Sequence, residues 1–211
     1  MGFLDWFRRP PRIDDRAGLT DYLDSRAAFV VQKGIFDFSR GASGPQFSQL
    51  ITEPAYVEAV DQARWKSYPL VLSAVVEMVH GMLLPAATGT MALAEALQGL
   101  AFAVVDRYPV PQAIGAEAWA AARAELGLRV IHIALHPPKA VKDIVLPIAD
   151  QFFANLPIHP RLRGAYNEIV TNNLRSNLLR MHEDFARRAD VAALTGALGV
   201  ARERAAVAQR G

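Results

Sequence analysis

Residues 67–105 read SYPLVLSAVVEMVHGMLLPAATGTMALAEALQGLAFAVV and carry only two formal charges, Glu77 and Glu95. Positions 78–94 form a run of 17 residues without a charge, close to the shortest length that spans a membrane. Pro85 and Gly89 interrupt this run, and both residue types break helices. The stretch therefore predicts two buried helices joined near residues 85–89, which form a central hairpin and not a transmembrane segment.

Helical periodicity continues on the N-terminal side of this hairpin. Thr20 is predicted to cap a helix over residues 21–38, and the sequence GASGP at 41–45 predicts a loop. Pro54 suits the first turn of the next helix. Pro69 is predicted to end or kink that helix, because proline lacks the amide donor.

The C-terminal side is helical as well, and alternating strand patterns are scarce along the whole chain. Helices are predicted over residues 90–106, 116–135, 139–155 and 162–188, with Asp190 capping a last one. We therefore predict an all-α fold, a single bundle of six to eight helices around the hairpin. The predicted organisation is an N-terminal segment and linker over 1–16, a helical domain over 17–189, and a C-terminal helix and tail over 190–211. The predicted core contains Phe29, Val30, Leu72, Val75, Val76, Met82, Leu93, Leu97, Leu100, Val104, Leu174, Leu178 and Phe185.

Composition excludes several classes of protein. Of 211 residues, 52% are hydrophobic and 21% are charged, which excludes a disordered chain. The 23 basic and 21 acidic residues give a net charge of +2, too balanced for a nucleic-acid coat, and no nucleic-acid partner is predicted. The chain has no cysteine, so disulfides, thiolate nucleophiles and cysteine-ligated metals are excluded.

The first nine residues, MGFLDWFRR, form a short amphipathic segment that we call the N-terminal foot. Apolar residues precede the basic ones, the reverse of a signal peptide, so the protein is predicted to be cytoplasmic. Pro10 and Pro11 hold the linker extended and separate the foot from the first helix. The predicted targets are a groove on the protein itself, then a second subunit, then anionic lipid in a peripheral membrane contact. The candidate contact residues are Phe3, Leu4, Trp6, Phe7, Arg8 and Arg9.

Most catalytic motifs are missing. No two glycines are separated by a single residue and no Gly-Lys pair exists, which excludes dinucleotide, kinase and P-loop phosphate cradles. The nearest sequence to a nucleophile elbow is GASGP, with proline in place of the second glycine. No serine has lysine three residues later. No cofactor is predicted.

Two histidine motifs resemble metal sites. Glu77 and His80 form an E-x-x-H step, but a di-iron bundle needs two such steps and only one is present. We interpret Glu77 and His80 as a buried pair that satisfy one another, with ligand binding as the alternative. His132 and His136 have the i,i+4 spacing of zinc helices, but Pro137 moves His136 away from helical geometry. No metal site is predicted.

Three asparagines, Asn172, Asn173 and Asn177, fall in the predicted helix over 162–188. Asparagine is a weak helix former, so their presence needs a reason. They are interpreted as a polar network against a neighbouring helix, or as a pocket in which Asn173 and Asn177 bind a polar ligand.

Three segments carry a resemblance: LDSRAAF at 23–29 followed by Gln32 and Lys33, LHPPK at 135–139, and NNLRSNL at 172–178. They resemble segments of an uncharacterised group of all-helical proteobacterial proteins. Some of those proteins carry an esterase label, which implies a hydrolase, although these segments contain no recognisable catalytic motif.

The sequence therefore predicts a non-catalytic cytoplasmic protein that binds a protein partner, such as a second copy in a homodimer, or an apolar small molecule. The alternative is an esterase-like hydrolase with a non-standard site.

Overall fold

The computed structural model describes residues 11–157 and 166–202. Within these residues the fold is an all-α bundle, as predicted, and no β-strand is present apart from isolated bridges. The helices are α1 (Arg16–Ser43), α2 (Phe47–Leu50), α3 (Pro54–Leu83), α4 (Thr90–Val105), α5 (Gly115–His132), α6 (Leu146–Asn155), α7 (Asn167–Arg188) and α8 (Val191–Ala197).

The predicted hairpin is confirmed and lies at the centre. Helices α3 and α4 are joined by a 3₁₀ turn at Leu84–Ala86, and α3 contacts α1, α4, α5, α6 and α7. The stretch Pro54–Ala86 is long and apolar enough to cross a membrane, with a mean hydropathy of 1.6 in its most apolar window. In the bundle 67% of that window is buried, and the core helix of a soluble protein meets the same criteria.

Helix α1 begins and ends at residues other than those predicted. Asp15 caps it by accepting a hydrogen bond from Gly18 N at 2.7 Å. Thr20, the predicted cap, lies inside the helix and donates to the carbonyl of Arg16 instead. The predicted loop over 41–45 is also wrong, because α1 continues to Ser43 and ends at Gly44, whose φ of 53° favours glycine.

Helix α3 begins at Pro54 as predicted and continues through Pro69. A proline removes the hydrogen bond to the carbonyl four residues earlier, here that of Trp65, and its ring crowds the same carbonyl. Burial of Tyr68, Pro69 and Leu70 among the surrounding helices supports the helix on both sides of this gap.

The core prediction is correct for most residues and wrong for Phe29, which is 50% exposed. Met82 is only partly buried. The reason for the error at Phe29 is that α1 already fills its inward face with Leu23, Ala27 and Val30, so further large apolar residues point outward.

The N-terminal end of the described chain is attached to the segment that joins α7 and α8. Ile13 is buried, its amide donates to the carbonyl of Arg188, and its own carbonyl accepts from the amide of Asp190. Asp190 also caps α8 by accepting from Ala193 N, as predicted.

Candidate functional site

The best candidate site is a groove of about 620 Å³ between α1, α2 and α3. Three side chains that line it are unusually exposed for large apolar residues: Phe36, Ile51 and Val57 are 48%, 45% and 52% exposed. Because exposed apolar side chains gathered in one concave surface are typical of binding sites, this groove is the first place to look for a function.

One end of the groove is mainly apolar. The rings of Phe36 on α1 and Phe47 on α2 meet edge to face, with centroids 5.0 Å apart. Ile51 and Val57 lie beside them in the lining. This end contains no charged side chain among its lining residues.

The other end has an aromatic floor formed by Trp65, Tyr68 and Tyr108. The ring centroids lie 5.2 Å apart for Trp65 and Tyr108, and 5.5 Å apart for Tyr68 and Tyr108. Trp65 also contacts the buried ring of Trp119 on α5, 5.6 Å away. Because these rings pack against each other, the aromatic floor is a continuous surface with no space between the rings for a ligand.

Asp24 on α1 fixes the two tyrosines of this floor. Its Oδ1 accepts a hydrogen bond of 2.6 Å from the hydroxyl of Tyr68 and another of 2.6 Å from that of Tyr108. Burial, followed by the hydrogen bond to Asp24, raises the pKa of both tyrosines above the ordinary value, so both remain neutral donors at neutral pH. The hydroxyls of both tyrosines in the floor of the groove are therefore held in place by Asp24.

Among the described residues, Arg64 is the one charged residue in the lining of the groove. Its guanidinium lies 4.6 Å from the centroid of Trp65 and 3.1 Å from Asp61, and both ionic side chains of that pair are substantially exposed. An exposed i,i+3 ion pair is weak, so Arg64 can exchange Asp61 for another anion. The groove therefore combines an apolar surface with a single positive charge.

The predicted pairing of Glu77 with His80 is wrong. Glu77 forms an ion pair of 2.8 Å with Lys139 instead. Lys139 does not belong to α3, so the E-x-x-H spacing within that helix gives no information about it. His80 is buried, and its Nε2 lies 3.2 Å from the carbonyl oxygen of Thr90 and 3.3 Å from the hydroxyl of the same residue. Burial lowers the pKa of the His80 imidazole below its ordinary value.

The two asparagines are not brought to the Glu77–His80 region. Asn173 is exposed, while Asn177 is buried and its amide donates to the backbone carbonyl of Asn173 at 2.9 Å. Neither asparagine lines a cavity that contains Glu77 or His80. The amide of Asn177 is therefore used inside its own helix.

The contact residues predicted in the N-terminal foot cannot be related to the groove. Phe3, Leu4, Trp6, Phe7, Arg8 and Arg9 lie outside the described residues. In the part of the chain that the structure describes, no group of three or more histidine or acidic side chains could hold a metal ion. Within the same residues, no serine hydroxyl is hydrogen-bonded to a histidine.

Sequence reasoning missed the groove entirely. The sequence of α1 did contain an indication, because this helix has more large apolar residues than its buried face can hold. Phe29 and Phe36 are seven residues apart and lie outside the buried stripe that contains Leu23, Ala27 and Val30. No feature of the nearby sequence indicates that Tyr108 belongs to the groove. Its ring contacts Trp65 and Tyr68 because α4 packs against α1 and α3.

Comparisons with known proteins give no further guidance. The chain matches no family model, and searches of curated proteins and of solved structures found no match.

Proposed function

We propose that the protein is a non-catalytic binding protein whose groove holds an amphipathic small molecule with an anionic end group. The observation that carries this proposal is the lining itself, in which half-exposed apolar side chains surround a cavity with one positive charge, Arg64. A long-chain carboxylic acid has the matching chemistry, since its chain would cover the apolar surface and its carboxylate would replace Asp61 at Arg64.

The dimensions favour a small molecule over a protein partner. On α1 the lining runs from Ala28 to Phe36, nine residues that span about 12 Å of helix. The cavity volume lies within the range of about 300–1,000 Å³ typical of small-molecule sites. On α3 the lining runs from Tyr56 to Tyr68, about 18 Å of helix. A stable protein interface buries about 800 Å² on each partner, more than a groove of this length offers.

Titration of the purified full chain with dodecanoate tests the proposal. We expect a 1:1 complex by native mass spectrometry and a saturable change in tryptophan fluorescence, because Trp65 lines the groove. Methyl dodecanoate lacks the anionic end and should bind more weakly. Arg64→Gln should remove the difference between acid and ester.

Phe36 and Phe29 supply a matched pair of variants. Both lie on α1 and are 48% and 50% exposed, but only Phe36 lines the groove. Phe36→Ala should weaken dodecanoate binding about tenfold, the effect of losing about 1.4 kcal/mol of contact. Phe29→Ala should leave it unchanged, and equal effects of the two variants would contradict the proposal.

Binding experiments with dodecanoate also test two other possible occupants of the groove, the N-terminal foot and a second copy of the chain. A variant lacking residues 1–9 that binds dodecanoate much more tightly would show that the N-terminal foot competes for the groove. Loss of a dimer on adding dodecanoate would show that a second copy of the chain occupies the groove.

Hydrolysis of nitrophenyl esters that disappears on histidine replacement would instead favour the hydrolase implied by the resemblance. Cytoplasmic location remains part of the proposal.

A further inference from the structure

A second cavity, of about 350 Å³, lies next to the central hairpin and has a different character. Its polar side chains are Glu77, His80, Lys139 and His182. None of its lining residues belongs to the groove. The apolar part of the lining includes Met78, Met82, Pro85, Ile133, Val141 and Ile144.

His80 lines this cavity, and one of its ring nitrogens has no hydrogen-bond partner among the described residues. The side chain is 2% exposed, and its Nε2 faces the carbonyl oxygen of Thr90 at 3.2 Å. A carbonyl can only accept, so the contact with the Thr90 carbonyl assigns the hydrogen of the neutral ring to Nε2, and the Thr90 hydroxyl at 3.3 Å then acts as a second acceptor. In this tautomer Nδ1 is left with a free lone pair. Nδ1 is buried and has no hydrogen-bond partner among the described residues. An unpaired buried acceptor is unfavourable and is normally satisfied by a partner.

The other charges of the cavity compensate one another. Glu77 Oε1 and Lys139 Nζ lie 2.8 Å apart, with side chains 13% and 31% exposed. A ligand with a net charge would have to disrupt this pair, whereas a neutral ligand would leave it intact.

We propose that this cavity binds a neutral, mainly apolar small molecule that bears one hydroxyl group, and that the hydroxyl donates to His80 Nδ1. A cavity of about 150 Å³ is enough to hold benzene, so this volume has room for a molecule of one or two rings. The apolar lining holds the hydrocarbon part, and His80 distinguishes a hydroxyl compound from a hydrocarbon of the same shape.

Phenol and toluene are the probes, because they differ by a hydroxyl against a methyl group. With ring-labelled histidine, nuclear magnetic resonance should show a change at His80 Nδ1 when phenol is added and none with toluene. We expect phenol to bind about tenfold more tightly than toluene. His80→Gln keeps a donor for Thr90 but has no acceptor at the position of Nδ1 when its amide NH₂ faces Thr90, so it should fold and bind the two probes equally.

His80→Asn provides the complementary variant, since its amide oxygen occupies a position near that of Nδ1. It should restore the preference for phenol that His80→Gln loses. Equal binding of phenol and toluene by the unmodified protein would overturn the proposal. An Nδ1 signal that already reports a hydrogen bond, and does not respond to phenol, would show that only water occupies the site and would overturn it too.

Discussion

The two halves of α3 differ in how completely their side chains are buried. From Ser67 to Leu83 nearly every side chain is buried by the neighbouring helices. From Pro54 to Lys66 the same helix leaves Val57 half exposed and contributes Tyr56, Arg64 and Trp65 to the groove. Packing of the fold accounts for the apolar side chains of the C-terminal half, Ser67 to Leu83. It does not account for the exposed apolar side chain in the N-terminal half, which is why we assign the main binding function to the groove.

The largest difference is expected when each half loses apolar atoms. Leu72 is fully buried, so Leu72→Ala should lower the free energy of unfolding by about 3 kcal/mol. Val57→Ala should change it by less than about 0.5 kcal/mol, because half of this side chain is already in water. Urea denaturation measures both values, and a similar loss in the two variants would erase the contrast between the halves.

Asp24 and Asp21 sharpen the comparison from the side of α1. Asp24 accepts two tyrosine hydroxyls at the floor of the groove, so Asp24→Ala should cost about 2 kcal/mol. Asp21 forms only an exposed ion pair with Arg107, and Asp21→Ala should cost less than about 0.5 kcal/mol. Thermal unfolding distinguishes them. If Asp24→Ala were neutral, the aromatic floor would not depend on this carboxylate.

Two glycines test how tightly the bundle is packed. A Cβ at Gly34 would lie 2.8 Å from Cζ of Phe152, a ring that is fully buried and cannot move aside, so Gly34→Ala should cost about 1–2 kcal/mol. A Cβ at Gly99 would meet nothing within 4 Å, and Gly99→Ala should stabilise α4 by up to about 1 kcal/mol. Opposite shifts of the melting temperature are the expected result. A stabilising Gly34→Ala would show that α1 and α6 are looser than described.

The smallest effect concerns pH. Burial lowers the pKa of His80 below its value of 6.5, despite opposing contributions from Thr90 and the charge of Glu77. Below pH 6.5 the unfolded chain therefore binds a proton that the folded protein does not, and stability falls as the pH drops towards the folded pKa. His80→Gln should remove this dependence, which for one proton is at most about 1.4 kcal/mol per pH unit. Denaturation curves between pH 7 and pH 5 measure it, and identical slopes in the two proteins would contradict the assignment.

The sequence carried enough information for the helical hairpin, because a charge-free run interrupted by Pro85 and Gly89 depends on local chemistry alone. It also identified the cap at Asp190. The pairing of Glu77 was mispredicted because its partner, Lys139, lies far away in the chain. The groove depends on contacts of the same long-range kind, such as those of Asp24 with Tyr68 and Tyr108, which only the packing of the helices reveals.

Photo-crosslinking with a dodecanoic acid that carries a diazirine on its chain tests the central claim most directly. Mass spectrometry of the digested protein should locate the label on the groove residues Phe36, Ile51, Val57 and Trp65, and excess dodecanoate should suppress the labelling. Labelling of Phe29 to the same extent as Phe36, or labelling that excess dodecanoate does not reduce, would contradict the claim that the groove is the binding site.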